Sequence, residues 1–162
     1  MASDYYLQID SITGESAAEG MTGQIDVDSW SFGASNPSSI GGQGLAAGKP
    51  SCSDFSFGGS LEKSSFAMFS NLFKGAHLKS AKFTGRKTGG GGTPYVYVVT
   101  TMTNVLITSY QLSGAAQADG ANVSGSLAFE KIEYQYYTQD TATGGTKLAG
   151  AASYDLKLLK VA

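Results

Sequence analysis

The sequence predicts an all-β domain, either a barrel or a tight sandwich of antiparallel strands, with one helix against its side. Short stretches in which apolar and polar residues alternate recur along the chain, and clusters of Gly, Ser, Asn and Asp separate them. One segment has the spacing of an amphipathic helix. With 162 residues the chain has the size of one domain, so we expect residues 1–162 to form a single domain.

The first three strands are predicted over residues 5–9, 23–32 and 51–57. The apolar positions change parity within the second strand, because Trp30 falls on the face opposite to the earlier aliphatic residues. A bulge near residues 28–29 would return all of them to the core. In the third strand the inward-facing residues are predicted to be Phe55 and Phe57.

Residues 35–50, which read SNPSSIGGQGLAAGKP, separate the second strand from the third. This stretch of small residues is too long for a hairpin turn, so an extended loop is predicted. Long loops of compact domains often bind partners or form interfaces. The candidates for contact with a partner or with another copy of the chain are Ser39, Ile40, Gln43, Leu45 and Lys49.

The one predicted helix covers residues 65–74. Ser64 or Ser65 is expected to be the N-cap, and Gly75 is expected to end the helix. An aromatic stripe at positions i, i+3 and i+7 is expected to pack the helix onto a sheet. The stripe consists of Phe66, Phe69 and Phe73.

Five further strands are predicted in the second half of the chain, over residues 80–87, 95–102, 105–112, 123–137 and 154–161. The glycine run at residues 89–92 is predicted as a hairpin tip. The strand over residues 95–102 is apolar on both faces, so we expect both faces to be covered. A second change of parity, between Phe129 and Ile132, predicts another bulge.

Motifs for catalysis, cofactor binding and metal binding are missing from the sequence. His77 and Cys52 are single residues of their types, which is too few for a zinc site of known spacing. The glycine-rich residues 42–50 lack the hydroxyl residue of a phosphate-binding loop, and no G-x-S-x-G motif occurs. Asp26 and Asp28 alternate along one strand, which is more typical of a solvated face than of an acid and base pair. The sequence therefore predicts a structural or binding protein with no catalytic, cofactor-binding or metal-binding residues.

The charge of the chain and its lack of targeting signals indicate which classes of partner to expect. Lys and Arg number 11 against 13 Asp and Glu, and the net charge of -2 gives no reason to expect nucleic-acid binding. Charged residues are 15% of the chain, and such a surface can be covered by copies of itself without desolvating many charges. The N-terminus lacks the pattern of a Sec signal peptide, and no apolar run has the length of a membrane helix. We expect synthesis in the cytoplasm and no stable membrane insertion.

Eight short pieces of sequence occur in a set order over nearly the whole chain. They are DYYLQI at 4–9, GES at 14–16, IDVDSWSFG at 25–33, DFSF at 54–57, EKSS at 62–65, AKFTGRK at 81–87, VLITSY at 105–110 and LAFEKIEY at 127–134. In this order they resemble the haemolysin co-regulated protein (Hcp) family of bacterial type VI secretion. Members of that family often carry a second Trp where this chain has Phe32.

The resemblance implies a compact antiparallel β-barrel of two sheets with one flanking α-helix. It also implies a hexameric ring that stacks into a hollow tube, which a contractile sheath propels out of the cell behind a spike protein. Effector proteins would travel in the lumen, and export by this machine would account for the missing signal peptide. Ser31, which points outward between Trp30 and Phe32, is the candidate residue for the lumen and the cargo.

Two other functions are compatible with the residues. One is a monomeric ligand-binding barrel of the calycin type, with an apolar cavity for a small molecule. The other is a secreted toxin, because some members of the family carry a C-terminal enzymatic extension. The last predicted strand ends close to Ala162, so no such extension is expected.

Overall fold

The computed structural model describes residues 2–88, 92–140 and 142–161, which form mainly β-strands and one α-helix. Among them, no helix is long and apolar enough to cross a membrane. The elements in chain order are β1 (Ser3–Ile9), β2 (Ile25–Val27), β3 (Ser29–Ser31), β4 (Ala34–Ser35), β5 (Ser38–Gly41), β6 (Gly44–Ala47), β7 (Ser51–Cys52), β8 (Phe55–Ser60), α1 (Ser64–Lys74), β9 (Leu78–Thr88), β10 (Pro94–Gly114), β11 (Ala121–Gln139), β12 (Thr146–Asp155) and β13 (Lys160–Val161).

Nine strands form one curled antiparallel sheet. Its order is β13-β12-β11-β10-β9-β1-β2, while β8 pairs with β11 and β3 pairs with β8. The all-β prediction with one helix is confirmed, but the sheet does not close into a barrel of two sheets. The short strands β2 and β3 follow each other in the chain but lie at different edges of the sheet. β2 pairs with β1, and β3 pairs with β8.

The change of parity predicted near residues 28–29 is present as a break between strands. Asp28 belongs to neither strand, and its N–H donates to the carbonyl of Gly58 over 2.8 Å. The chain changes partner at this residue, so Ile25 and Trp30 both face the core although a regular strand would place them on opposite faces.

Aromatic rings fill the space inside the curled sheet. Phe55 and Phe83 are fully buried, with ring centroids 5.1 Å apart, and Trp30 lies 4.7 Å from Phe83. Tyr5 stacks on Phe83 at 5.6 Å. Phe57 is also buried, which confirms the inward direction predicted for the third strand. Such rings contribute a large share of core energy, both by burial and by their mutual geometry.

The helix ends at Gly75, as predicted, because this residue has the left-handed φ of 61° that glycine tolerates best. The N-cap prediction is wrong. Lys63 occupies the N-cap position without a side-chain cap, and the Ser64 hydroxyl donates to Glu62 Oε1 over 2.7 Å.

The predicted aromatic stripe is also wrong as the packing face of α1. Phe66 and Phe73 are 71% and 79% exposed, whereas Met68 is fully buried. Phe69 alone of the three packs against the core, with its ring edge-on to Tyr110 at 4.9 Å. The helix is rotated so that the side of Ser64 and Met68, one turn apart, faces the sheet.

The segments predicted over residues 95–102 and 105–112 are one long strand, β10, with a kink. Asn104 has a left-handed φ of 55°, and its amide donates to Glu130 Oε2 on β11 over 2.5 Å. The pairing of β10 with β11 keeps one register through this point, with Thr103 opposite Lys131 and Val105 opposite Phe129. The bulge predicted between Phe129 and Ile132 is therefore not found, although both residues contribute to the core.

The C-terminal strand predicted over residues 154–161 is interrupted. Asp155 ends β12, and its Oδ1 accepts the backbone N–H groups of Lys157 and Leu158 at 3.0 and 2.9 Å. The resulting turn leads into the two-residue β13. Residues 89–91 of the predicted hairpin tip lie outside the described residues.

Candidate functional site

A shallow depression lies on the outer side of β3, β8, β11 and the end of β10, with a volume of about 500 Å³. Serine hydroxyls dominate its lining, because on each strand they alternate with residues that face the core. We call this surface the serine face. Its serines are Ser29, Ser31, Ser56, Ser109, Ser124 and Ser126.

Ser31, the lumen candidate, is exposed at the edge of the serine face, opposite Ser56 of β8. Inward-facing Trp30 and Phe57 hold β3 and β8 against the core from behind. Gly58 keeps the depression open, since a Cβ at that position would lie 2.8 Å from Ser29 Oγ. The serine face therefore has packed aromatic side chains on its core side and short hydroxyl side chains on its outer side.

The far side of the serine face is ordered by a bulge in β10. The register with β11 shifts between Ile107 and Ser109, which leaves Thr108 as the extra residue. Thr108 Oγ1 donates to Asp54 Oδ2 over 2.7 Å, and the hydroxyls of Ser109 and Ser126 lie 2.6 Å apart. No charged residue is among those that line the depression. The lining itself is therefore polar and uncharged, with the Asp54 carboxylate bonded to Thr108 at its margin, which suits weak and reversible contacts.

The loop predicted over residues 35–50 is a projecting β-hairpin. β5 and β6 pair from Ser38 opposite Ala47 to Gly41 opposite Gly44, and residues 33–49 are all exposed. Gly44 has a φ of 102°, which permits the tight turn at the tip. At the base β4 pairs with β7, and the Ser53 hydroxyl bonds both the N–H and the carbonyl of Gly33.

The structure brings two of the loop candidates together. Ile40 and Leu45 lie directly opposite each other near the tip, and they are 84% and 74% exposed. Side chains at opposite positions of an antiparallel pair project to the same face, so the two form one apolar knob. Gln43 lies at the tip, Ser39 precedes the knob and Lys49 lies beyond the end of β6.

A second exposed apolar surface was not predicted. Phe66 and Phe73 stand on the outward side of α1, with exposed Ser70 between them. The sequence contained the signal, because seven residues are about two helical turns and place both rings on one side. The spacing does not show whether this side faces the core or the solvent.

Other residues with potential chemistry remain apart. Cys52 is half-buried at the base of the hairpin, where burial raises the pKa of its thiol. Asp26 lies in β2 and Asp28 lies at the break that follows it, and both are exposed. Within the described residues, no group of three or more His, Cys, Asp or Glu side chains could hold a metal ion.

Comparison with known proteins gives a consistent result. The sequence profile of the family described as "Type VI secretion system effector, Hcp" matches residues 6–136. The protein hcp1 of Pseudomonas aeruginosa is 32% identical over 155 residues, which are 95% of this chain and 94% of that protein.

Solved structures have the same fold. One structure of a type six secretion system protein matches with a TM-score of 0.91 at 24% identity, over 99% of this chain and 100% of the other. Hcp1 from Salmonella typhimurium matches with a TM-score of 0.77 at 26% identity, over 100% of both chains. The profile match covers most of the chain, and the relative from P. aeruginosa covers nearly all of it. The chain therefore belongs to the Hcp family, the structural tube proteins of the type VI secretion system.

Proposed function

We propose that residues 1–162 act as one domain that assembles into a hexameric ring, and that the rings stack into a hollow tube. The observation that carries this proposal is the coexistence of an uncharged concave wall, the serine face, with a projecting hairpin that ends in an apolar knob. A ring requires two different surfaces of each subunit to meet, and stacking requires a further pair. In this chain, exposed apolar residues lie on separate elements, the hairpin and α1, so different surfaces are available for different contacts.

The serine face is proposed as the wall of the lumen, with Ser31 in contact with cargo. Short hydroxyl side chains on four strands present many weak hydrogen-bonding groups and no charge. Such a wall can hold polar surfaces of different effector proteins without selecting one sign of charge. Weak individual contacts also allow the cargo to be released.

The hairpin is proposed as the element that reaches a neighbouring subunit or the next ring. An isolated two-stranded hairpin is marginally stable in water, and an exposed apolar pair adds a cost that a partner would remove. Ile40 and Leu45 would supply the apolar contact, Ser39 and Gln43 would supply polar contacts, and Lys49 would lie at the rim.

The remaining partners follow from this assignment. Effector proteins would occupy the lumen, a spike protein would cap the tube, a contractile sheath would surround it, and secretion would proceed through this machine without a Sec signal peptide. The chain itself would perform no catalysis and would need no cofactor. The calycin alternative is disfavoured, because Phe55, Phe83 and Trp30 fill the interior that a small ligand would occupy.

The lumen assignment is tested by labelling rings with gold. Ser31→Cys in a Cys52→Ser background would react with a gold-coupled maleimide, and negative-stain images would locate the gold. We expect density at the centre of annular particles. Thr146→Cys in the same background is the control, since exposed Thr146 lies on β12, away from the serine face. Gold from Ser31→Cys at the outer rim would contradict the assignment.

A further inference from the structure

The described surface carries a second apolar feature, the exposed rings of Phe66 and Phe73 on α1, which has no part in the proposed lumen wall or hairpin. We propose that this helix face is the receptor for the hairpin knob of a second copy of the chain. The inference rests on the proposed function, because it names the surface on which the hairpin of a neighbouring subunit or ring would dock.

The hairpin knob and the helix face are both largely exposed in the single chain. Ile40 and Leu45 are 84% and 74% exposed, and Phe66 and Phe73 are 71% and 79% exposed. The knob and the helix face are thus two different free apolar surfaces of one molecule. Two unlike surfaces that fit each other produce head-to-tail contacts, in which every copy donates one surface and accepts with the other.

The segments that carry the two surfaces are both uncharged. Residues 35–48 of the hairpin contain no charged residue, and neither do residues 64–73 of the helix. Lys49 stands just beyond the first stretch, and Lys63 and Lys74 flank the second. Pressing the two together therefore buries no charge, and the lysines remain at the rim, where desolvation is small.

The dimensions of the two surfaces are also compatible. Phe66 and Phe73 are seven residues apart, or about 10 Å along the helix axis, and the small side chain of Ser70 lies between them. The Cβ atoms of Ile40 and Leu45 stand about 5 Å apart, as in any directly opposed pair. Their neighbours on the hairpin are small, since Gly41 pairs with Gly44 and Ser39 pairs with Ala46. The knob can therefore enter the space above Ser70 without other side chains in the way.

Disulfide trapping between copies tests the pairing. One protein carries Ile40→Cys and the other carries Ser70→Cys, both in the Cys52→Ser background and with tags of different size. After mixing and mild oxidation we expect the mixed dimer to form at least ~10-fold faster than with a Thr146→Cys control, because docking raises the effective concentration of the two thiols. Adding Phe66→Ser and Phe73→Ser to the Ser70→Cys protein should remove this advantage. Both rings are exposed, so these changes leave the core intact.

The outcomes separate the inference from the proposed function. Particles of ring mass that show no faster cross-linking than the control would overturn the inference and leave the ring standing. Equally fast self-cross-linking of the Ile40→Cys protein alone would also overturn it, because the knob would then meet another knob. A chain that stays monomeric at every concentration would contradict both. Fast mixed cross-linking without rings would support the helix face as receptor and contradict the hexamer.

Discussion

Replacing the hairpin knob is expected to weaken assembly without weakening the fold. In the double variant Ile40→Ser/Leu45→Ser, both substituted side chains are more than 70% exposed in the single chain. Changes at exposed positions usually alter stability by less than about 0.5 kcal/mol. The free energy of unfolding of the dilute protein should therefore stay close to that of the parent.

The effect on assembly follows from the same exposed fractions. Full burial of an Ile or Leu side chain contributes about 1.5–3 kcal/mol, and most of that area is still available on Ile40 and Leu45. Losing both contacts should cost about 2–4 kcal/mol for each hairpin, which is roughly 30-fold to 1,000-fold in the dissociation constant.

Light scattering over a concentration series measures this shift as the concentration at which the mass of the particles is half-maximal. Thermal unfolding of the dilute variant checks that it is folded. Ala47→Ser is the matched control, because it places a serine at another exposed position of the same hairpin and leaves the apolar pair intact. An unchanged midpoint in the double variant would refute the role of the hairpin in assembly.

Three further predictions address the wall, the core and a buried phenol. Ser31→Arg should reduce the amount of effector retained by purified rings without lowering their melting temperature, and equal retention would contradict the lumen assignment. Phe83→Ala should lower the free energy of unfolding by about 3–5 kcal/mol, because Phe83 is fully buried among aromatic rings. Urea unfolding measures this change, and a loss below about 1 kcal/mol would contradict the described packing of Phe83. Burial, helped by the charge of Glu62, raises the pKa of Tyr110 to about 12 from its ordinary 10.0. The unfolded chain therefore loses this proton first, and stability should fall as the pH rises from 10 towards 12. Urea unfolding at several pH values should show a smaller fall in Tyr110→Phe, and an identical fall would contradict the shift.

The all-β fold was predictable because period-two alternation is a local property. Phe55 and Phe57 show it over three residues, and both are buried as predicted. The break at Asp28 was also readable, since Trp30 cannot share a face with Ile25 on a regular strand.

The wrong and missing predictions have a common physical cause. The local sequence pattern does not show which other element a helix or strand packs against or pairs with. The stripe on α1 indicates one apolar side, but the side that is buried, that of Ser64 and Met68, depends on the packing of α1 against β10, which is distant in sequence. β5, β6 and β12 were missed because Gly, Ala and Ser carry little alternation, and backbone pairing with a neighbour determines these strands. The left-handed Asn104 opposite Glu130 likewise has no signal in a single strand.

The candidate site was predictable in part. Ser31 was found because an alternating strand must turn it outward. The other serines of the serine face belong to β8, β10 and β11, and only the three-dimensional pairing brings them beside Ser31. Ile40 and Leu45 were named as loop residues, yet their juxtaposition depends on the hairpin register.

The solution mass of the particle tests the central claim most directly. Light scattering on the purified chain, with negative-stain images of the same peak, should give about 100 kDa, six copies of the 16.7 kDa chain, and annular particles. A monomer that persists at high concentration would contradict the account.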